Sequence, residues 1–221
     1  MPHRMPGKFR HLRNMAVRAT FLLFALICRH NKIQAQDLKF DNLSVEQGLS
    51  QGNTNAILQD HYGFIWIATE DGLNLFDGYT FTIFRNAPTD STTISNNNIR
   101  CLAEDRFGNI WVGTLNGLNL YHRASNRFIH YNTEAKGNAA LTSDEIHCMY
   151  LDSENKLWVG TSKGINVLDS STQTFRYFTH QDDEPNGLPH NSVRSIVQDN
   201  LKRYWMATSA GLSMLNTDLK T

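Results

Sequence analysis

An all-β fold of repeated four-stranded units is predicted for this sequence by three observations. The stretch "GFIWIATEDGLNLF" (Gly63–Phe76) returns as "GNIWVGTLNGLNLY", as "NKLWVGTSKGINVL" and, more changed, as "KRYWMATSAGLSML". The tryptophans Trp66, Trp111, Trp158 and Trp205 therefore stand 45, 47 and 47 residues apart, the period of β-propeller blades and too long for ankyrin or tetratricopeptide units. Helical repeats of similar length exist, but these segments are rich in Ile, Val, Thr, Trp, Tyr and Phe, and no stretch after residue 35 sustains a 3.6-residue apolar period.

From the amino terminus, residues 1–35 read as a secretory signal. They hold seven basic residues (Arg4, Lys8, Arg10, Arg13, Arg18, Arg29, Lys32), no acid, and the apolar run Phe21–Cys28, which suits an h-region and is far too short to span a bilayer. Cleavage is expected after Ala35; Ile27 stands where a lipobox wants a small residue, so Cys28 is not read as a lipid attachment point. Removing the seven from 21 basic residues leaves 14 against 21 acidic ones, a net charge of −7 on the remaining chain. That acidity excludes a nucleic-acid binder, which needs a basic footprint.

Residues 36–221 form the propeller, with blades at 53–84, 98–131, 145–178 and 192–216. Each blade starts with an inner strand, "TNAILQ" (Thr54–Gln59) in the first, matched by "IRCLAE", "IHCMYL" and "VRSIVQ". A turn at Asp60-His61-Tyr62-Gly63 follows, where Asp bonds backbone amides and Gly supplies positive φ. The second strand carries the Trp; the turn Glu70-Asp71-Gly72 leads to the third; "FTIF" (Phe81–Phe84) is the fourth. Gly72, Gly117, Gly164 and Gly211 recur at the second turn as structural residues, like the four tryptophans. The first-turn glycine becomes Asn155 and then Lys202, which predicts a different or strained fourth turn, and Tyr204 replaces an Ile or Leu. The last blade has no fourth strand of its own after Leu215, and residues 38–42 are the expected closing strand.

The pattern D-x-x-G-x-[IL]-W-[IV]-[AG]-T-x-x-G-[LI]-N, at Asp60–Asn74 and Asp105–Asn119, resembles the two-component regulator propeller repeat, and "EQGLSQGNTNAILQD" (Glu46–Asp60) resembles the start of a first repeat. The resemblance spans residues 38–221. It implies the amino-terminal sensor part of a Bacteroidetes-type hybrid two-component system, on the periplasmic or extracellular side of a Gram-negative bacterium. It further implies an oligosaccharide ligand controlling polysaccharide-utilisation genes, with more blades and a membrane-bound histidine kinase outside this chain. Four blades then either close through the N-terminal strand or form an arc of a seven-bladed ring, whose open face would favour self-association.

Repeated residues read as architecture. The tryptophans are core, and Asp60, Asp105, Asp152 and Asp199 are turn formers, since hydrolysis wants two unlike carboxylates converging on one bond. Thr69, Thr114, Thr161 and Thr208 are turn or inter-blade hydrogen-bonding residues, and His61, His122, His130 and His180 are surface residues. Cys101 and Cys148, equivalent to Ala56 and Ser195, mark a tightly packed small-residue position and are expected as free thiols. No metal-ligand spacing, cofactor loop or catalytic constellation emerges. Function belongs where repeats disagree. Asn55, Arg100, His147 and Arg194, at the start of the inner strands, and Asn97, Asp144 and Asn191 in the loops before them, are the candidate ligand residues. Amides and guanidinium groups at the mouth suit a polyhydroxylated or acidic sugar. The rival readings are an exported propeller enzyme, such as a polysaccharide lyase or glycosidase, and an inactive truncated fragment.

Overall fold

The computed structural model describes residues 38–169, 172–184 and 186–215, so the signal expected over 1–35 lies outside the described residues. The chain divides into two compact units, Met1–Asn42 and Leu43–Thr221. In the first, the described residues 38–42 form no strand, and Leu38 and Phe40, which a closing strand would bury, are 83% and 84% exposed.

The second unit holds four antiparallel sheets. The first comprises β1 (Thr54–Gln59), β2 (Ile65–Thr69), β3 (Gly72–Phe76) and β4 (Phe81–Phe84). The second comprises β5 (Ile99–Glu104), β6 (Ile110–Thr114), β7 (Gly117–His122) and β8 (Arg127–Tyr131). The third comprises β9 (Ile146–Leu151), β10 (Leu157–Thr161), β11 (Gly164–Asp169) and β12 (Thr174–Phe178). Among the described residues the fourth has three strands, β13 (Val193–Gln198), β14 (Tyr204–Thr208) and β15 (Gly211–Leu215), one short of the expected four. Strands pair in sequence order within each sheet, and the inner strands β1, β5, β9 and β13 pack successively against one another, the arrangement of propeller blades.

The core lies between blades rather than within them. Trp66 and Leu73 pack with Ile99, Val112 and Tyr121; Trp111 and Leu118 pack with Ile146, Val159 and Leu168; Trp158 and Ile165 pack with Val193, Ile196 and Tyr204. Each tryptophan thus covers the next blade, and Trp205, with no blade after it among the described residues, is only half-buried.

The expected turn Asp is a hub. Asp60 accepts the Tyr62 and Phe64 amides and the Trp66 indole Nε1–H at 2.8 Å, and Asp152 and Asp199 repeat this with Trp158 and Trp205 at 2.9 Å. Asp105 instead accepts from the Asn109 side chain at 3.1 Å. Two hubs also tie blades together: Arg123 donates to Asp60 at 2.6 Å and the Tyr204 hydroxyl to Asp152 at 2.7 Å. The fourth turn is not different, since Lys202 adopts φ 63°, close to Asn155 at 64°, and its amide reaches the Asp199 carbonyl as Gly63 reaches that of Asp60. A left-handed non-glycine costs about 1–2 kcal/mol, so the strain is there. Each strand-ending Thr caps its turn, as when Thr69 Oγ1 donates to the Gly72 carbonyl at 2.8 Å and accepts the Asp71 amide.

Candidate functional site

Four β-bulges define the candidate site. In the first blade Thr54 faces Thr69 and Ala56 faces Ala68, so Asn55 is the extra residue. The same step falls on Arg100, on His147 and on Arg194. A bulge frees one residue from the ladder and re-aims its side chain. The positions singled out because the repeats disagree there are therefore also those where the inner strand is distorted in every blade.

Their engagement differs. Asn55 Nδ2 donates to the Ile99 carbonyl of the next inner strand at 2.7 Å, and His147 Nδ1 reaches the Val193 carbonyl at 3.2 Å in the same way. A carbonyl only accepts, so Nδ1 bears the proton, and His147 Nε2 faces Glu145 Oε1 at 3.4 Å. Arg194 Nε donates to Ser209 Oγ at 3.3 Å, which leaves the rest of its fork open. The Arg100 guanidinium makes no hydrogen bond or ion pair among the described residues. Two residues before it, Asn98 Oδ1 is buried without a hydrogen-bond partner among the described residues. Blades one and three thus use the bulge residue as an inter-blade staple, while blade two leaves its guanidinium unbonded among the described residues and blade four commits only Nε.

Asn97, Asp144 and Asn191 stand elsewhere. Their carbonyls accept the amides of Gly72, Gly117 and Gly164 of the preceding blade at 2.7–2.8 Å. Their side-chain oxygens accept the amides of Asn86, Thr133 and His180 at 2.7 Å, and Asp144 also takes the Thr133 hydroxyl. They brace the loops between blades, and their acceptor atoms are committed to the chain itself. The recurring glycines fit this joint: Gly72 and Gly117 have positive φ, and a Cβ on either would come within 2.9 Å of a backbone oxygen. Gly211 has the same φ class but lies exposed with open space around it.

The repeats themselves identify the family. Residues 48–71, 93–116, 140–163 and 187–210 each match the two-component regulator propeller. The chain is thus built of two-component regulator propeller repeats. Over 84 residues the chain is 43% identical to histidine kinase P4 of Formosa agariphila, covering 38% of this chain and 6% of that protein. It superposes on the crystal structure of the extracellular domain of a proposed hybrid two-component system from B. thetaiotaomicron with a TM-score of 0.61 at 26% identity, covering 82% of this chain and 31% of the other. A second such domain from the same organism gives a TM-score of 0.68 at 23% identity, over 82% and 24% of the two chains, and speaks to fold alone. The chain spans less than a third of these relatives' own lengths.

Several residues hold the blades together without a local sequence signature. Asn74, Asn119 and Asn166 are fully buried, and each accepts an amide 24 residues upstream, from Ser50, Ser95 and Thr142, at 2.9 Å. Their Nδ2 groups return a bond to the hydroxyls of the same three residues. In blade four the Asn becomes Ser213 and the upstream residue becomes Pro189, which has no N–H to give. That paired change was the available signal. His130 and His180, expected at the surface, instead tie loops through the Thr93 and Leu188 carbonyls at 2.6 Å. Cys101 and Cys148 are free thiols, and burial pushes the Cys148 pKa up to about 12 and that of Cys101 further. No His, Cys, Asp and Glu group suited to a metal occurs among the described residues, and none of their helices is long and apolar enough to cross a membrane.

Proposed function

We propose that this propeller is the ligand-reading part of an extracytoplasmic receptor in a hybrid two-component system, and that it recognises an oligosaccharide at the mouth formed by the bulged inner strands. The observation that carries this reading is the placing of four dissimilar polar residues, Asn55, Arg100, His147 and Arg194, at one repeated backbone distortion. Bulges cluster beside functional sites because they turn a side chain out of the ladder. Arg100, unbonded, and Arg194, with one bond made, offer planar donor forks that pair with a carboxylate or sulfate. An acidic oligosaccharide is accordingly the ligand class the mouth favours.

Similarity to sensor-kinase proteins supports an output outside this chain: further blades, a membrane-bound histidine kinase, and control of polysaccharide-utilisation genes. Export after removal of residues 1–35 is part of the same proposal. The test is calorimetric titration of the full chain with acidic oligosaccharides, with product formation followed in the same cell. We expect binding without turnover, weakened by Arg100→Ala about 10- to 100-fold, as for loss of a hydrogen bond to a charged group. Unchanged affinity in that variant would remove the mouth as the site, and product formation would make the protein an enzyme.

A further inference from the structure

Away from the bulged strands lies a cavity of about 390 Å³, between the loop that joins blades one and two and the strand end and loop that follow in blade two. Its volume falls within the ~300–1,000 Å³ of small-molecule sites. Asn86 and Asp90 come from the first wall, His130, Asn132 and Glu134 from the second, and Asn116 from the turn between β6 and β7.

The first wall is built rigidly. Asn86 Nδ2 donates to the Ile94 carbonyl at 2.7 Å, and Ile94 is fully buried in the core between the blades. The Ala87 amide reaches Thr93 Oγ1 at 3.0 Å, the Thr93 amide reaches the Asp90 carbonyl, and the Phe128 amide of β8 reaches the Thr92 carbonyl. His130 donates from Nε2 to the Thr93 carbonyl at 2.6 Å, which locks the tautomer and turns Nδ1 into an acceptor in the neutral ring. Preorganised walls spare a ligand the cost of ordering them.

Within this frame particular polar atoms have no partner among the described residues. They are Asn86 Oδ1, Asn132 Nδ2, and the whole side-chain heads of Asn116 and Glu134. Asp90 accepts the Thr92 amide and hydroxyl through Oδ1, bonds that hold its carboxyl below the usual range, and Oδ2 remains open. The lining thus offers both amide donors and amide and carboxylate acceptors. Among the described residues no Lys or Arg lines the cavity, whereas Asp90, Glu134 and Asp144 do. A carboxylated or sulfated group would meet repulsion there. A sugar hydroxyl both gives and takes a hydrogen bond, and a ring of them can use donors and acceptors together.

We propose that this cavity binds a neutral polyhydroxylated ligand, the size of one or two sugar residues, as a site separate from the mouth. Asn116 and Asn132 donate to ring or hydroxyl oxygens, and Asn86, Asp90 and Glu134 accept from hydroxyls. The proposal does not depend on the mouth, and the two make opposite demands on ligand charge.

The test is calorimetric titration of the full chain with cellobiose, maltose, lactose, mannobiose and xylobiose, and with digalacturonate as the charged control. At least one neutral disaccharide is expected to bind, with Kd of about 0.1–1 mM. The double substitution Asn116→Ala/Glu134→Ala should weaken that binding about tenfold or more without lowering Tm, because neither side-chain head bonds to the fold. Arg100→Ala should leave it unchanged. Failure of all five neutral sugars to bind overturns the proposal. So does neutral binding that withstands the double substitution, and so does neutral binding lost in Arg100→Ala alone, which would place the sugar in the mouth.

Discussion

Tyr204 occupies the position held by Ile65, Ile110 and Leu157 in the other blades, and its ring stacks on Trp158 at a centroid distance of 4.0 Å. Its hydroxyl completes the bonding of Asp152, a 5% exposed carboxylate in the joint between blades three and four. Burial pushes the Asp152 pKa up, but hydrogen bonds from Tyr204, Trp158 and the Lys156 and Glu154 amides outweigh it and leave the pKa below the ordinary value. Asp60 is lowered in the same way, burial being outweighed by Trp66, Arg123 and the Phe64 amide. A depressed folded pKa contributes stability that is complete above the unfolded value near ~4 and is lost as pH falls through the folded one. Thermal unfolding followed from pH 7 to pH 2 should therefore show Tm falling below about pH 4. Tyr204→Phe should cost about 1–3 kcal/mol at pH 7 and flatten that acid decline. Equal Tm values for variant and wild type at both ends would deny the bond any energetic role. The departure at Tyr204 was visible in the sequence; its partner, 52 residues upstream, was not.

At the scale of a strand pair, size is balanced across the ladder. Cys101 faces Gly113 and Cys148 faces Gly160, while Ala56 faces Ala68 and Ser195 faces Ala207. A Cβ on Gly113 would sit 2.5 Å from Cys101 Sγ and 2.7 Å from Ile146 Cγ2 of the next blade. Each sulfur is therefore accommodated by a missing methyl opposite. Gly113→Ala should destabilise by about 1–3 kcal/mol, the usual cost of overpacking. Adding Cys101→Ala recreates the Ala–Ala pair of blade one and should recover part of that loss, a coupling that chemical denaturation of the two single variants and the double would measure. Strict additivity would mean that Ile146, and not the sulfur, sets the fit. The small-residue position was legible as such from Ala56, Cys101, Cys148 and Ser195, but its pairing with Gly113 and Gly160 depends on the register that the bulges impose.

At the scale of the molecule, the two end blades differ from the inner ones. Leu73, Leu118 and Ile165 are fully buried, whereas their counterpart Leu212 is 66% exposed, with Met214 at 45% and Val197 at 49% on the same blade. In blade one Ile57 is 72% exposed, and Thr54 stands where the other inner strands begin with Ile99, Ile146 and Val193, all fully buried. An apolar sheet face of this kind drives association. Analytical ultracentrifugation is expected to show concentration-dependent self-association, reduced by the double substitution Leu212→Lys/Met214→Lys. A chain that remains monomeric at every concentration would show that this face is tolerated in water.

The sequence by itself determined the repeat, the strand order within each blade, the burial of Trp66, Trp111 and Trp158 and the turn role of the aspartates. These follow from local chemistry repeated at a fixed period: β-branched and aromatic runs, glycine at positive φ, a carboxylate beside free amides. It also picked out Asn55, Arg100, His147 and Arg194 as the places where the repeats differ. Only the tertiary structure decided that these four are bulges, that Arg100 is unspent while Asn55 and His147 are stapled, and that Asn97, Asp144 and Asn191 brace loops. The cavity between the first two inter-blade loops is likewise a product of packing. The physical reason is that such contacts join residues of different blades, where no period in the chain records which side chain finds which carbonyl.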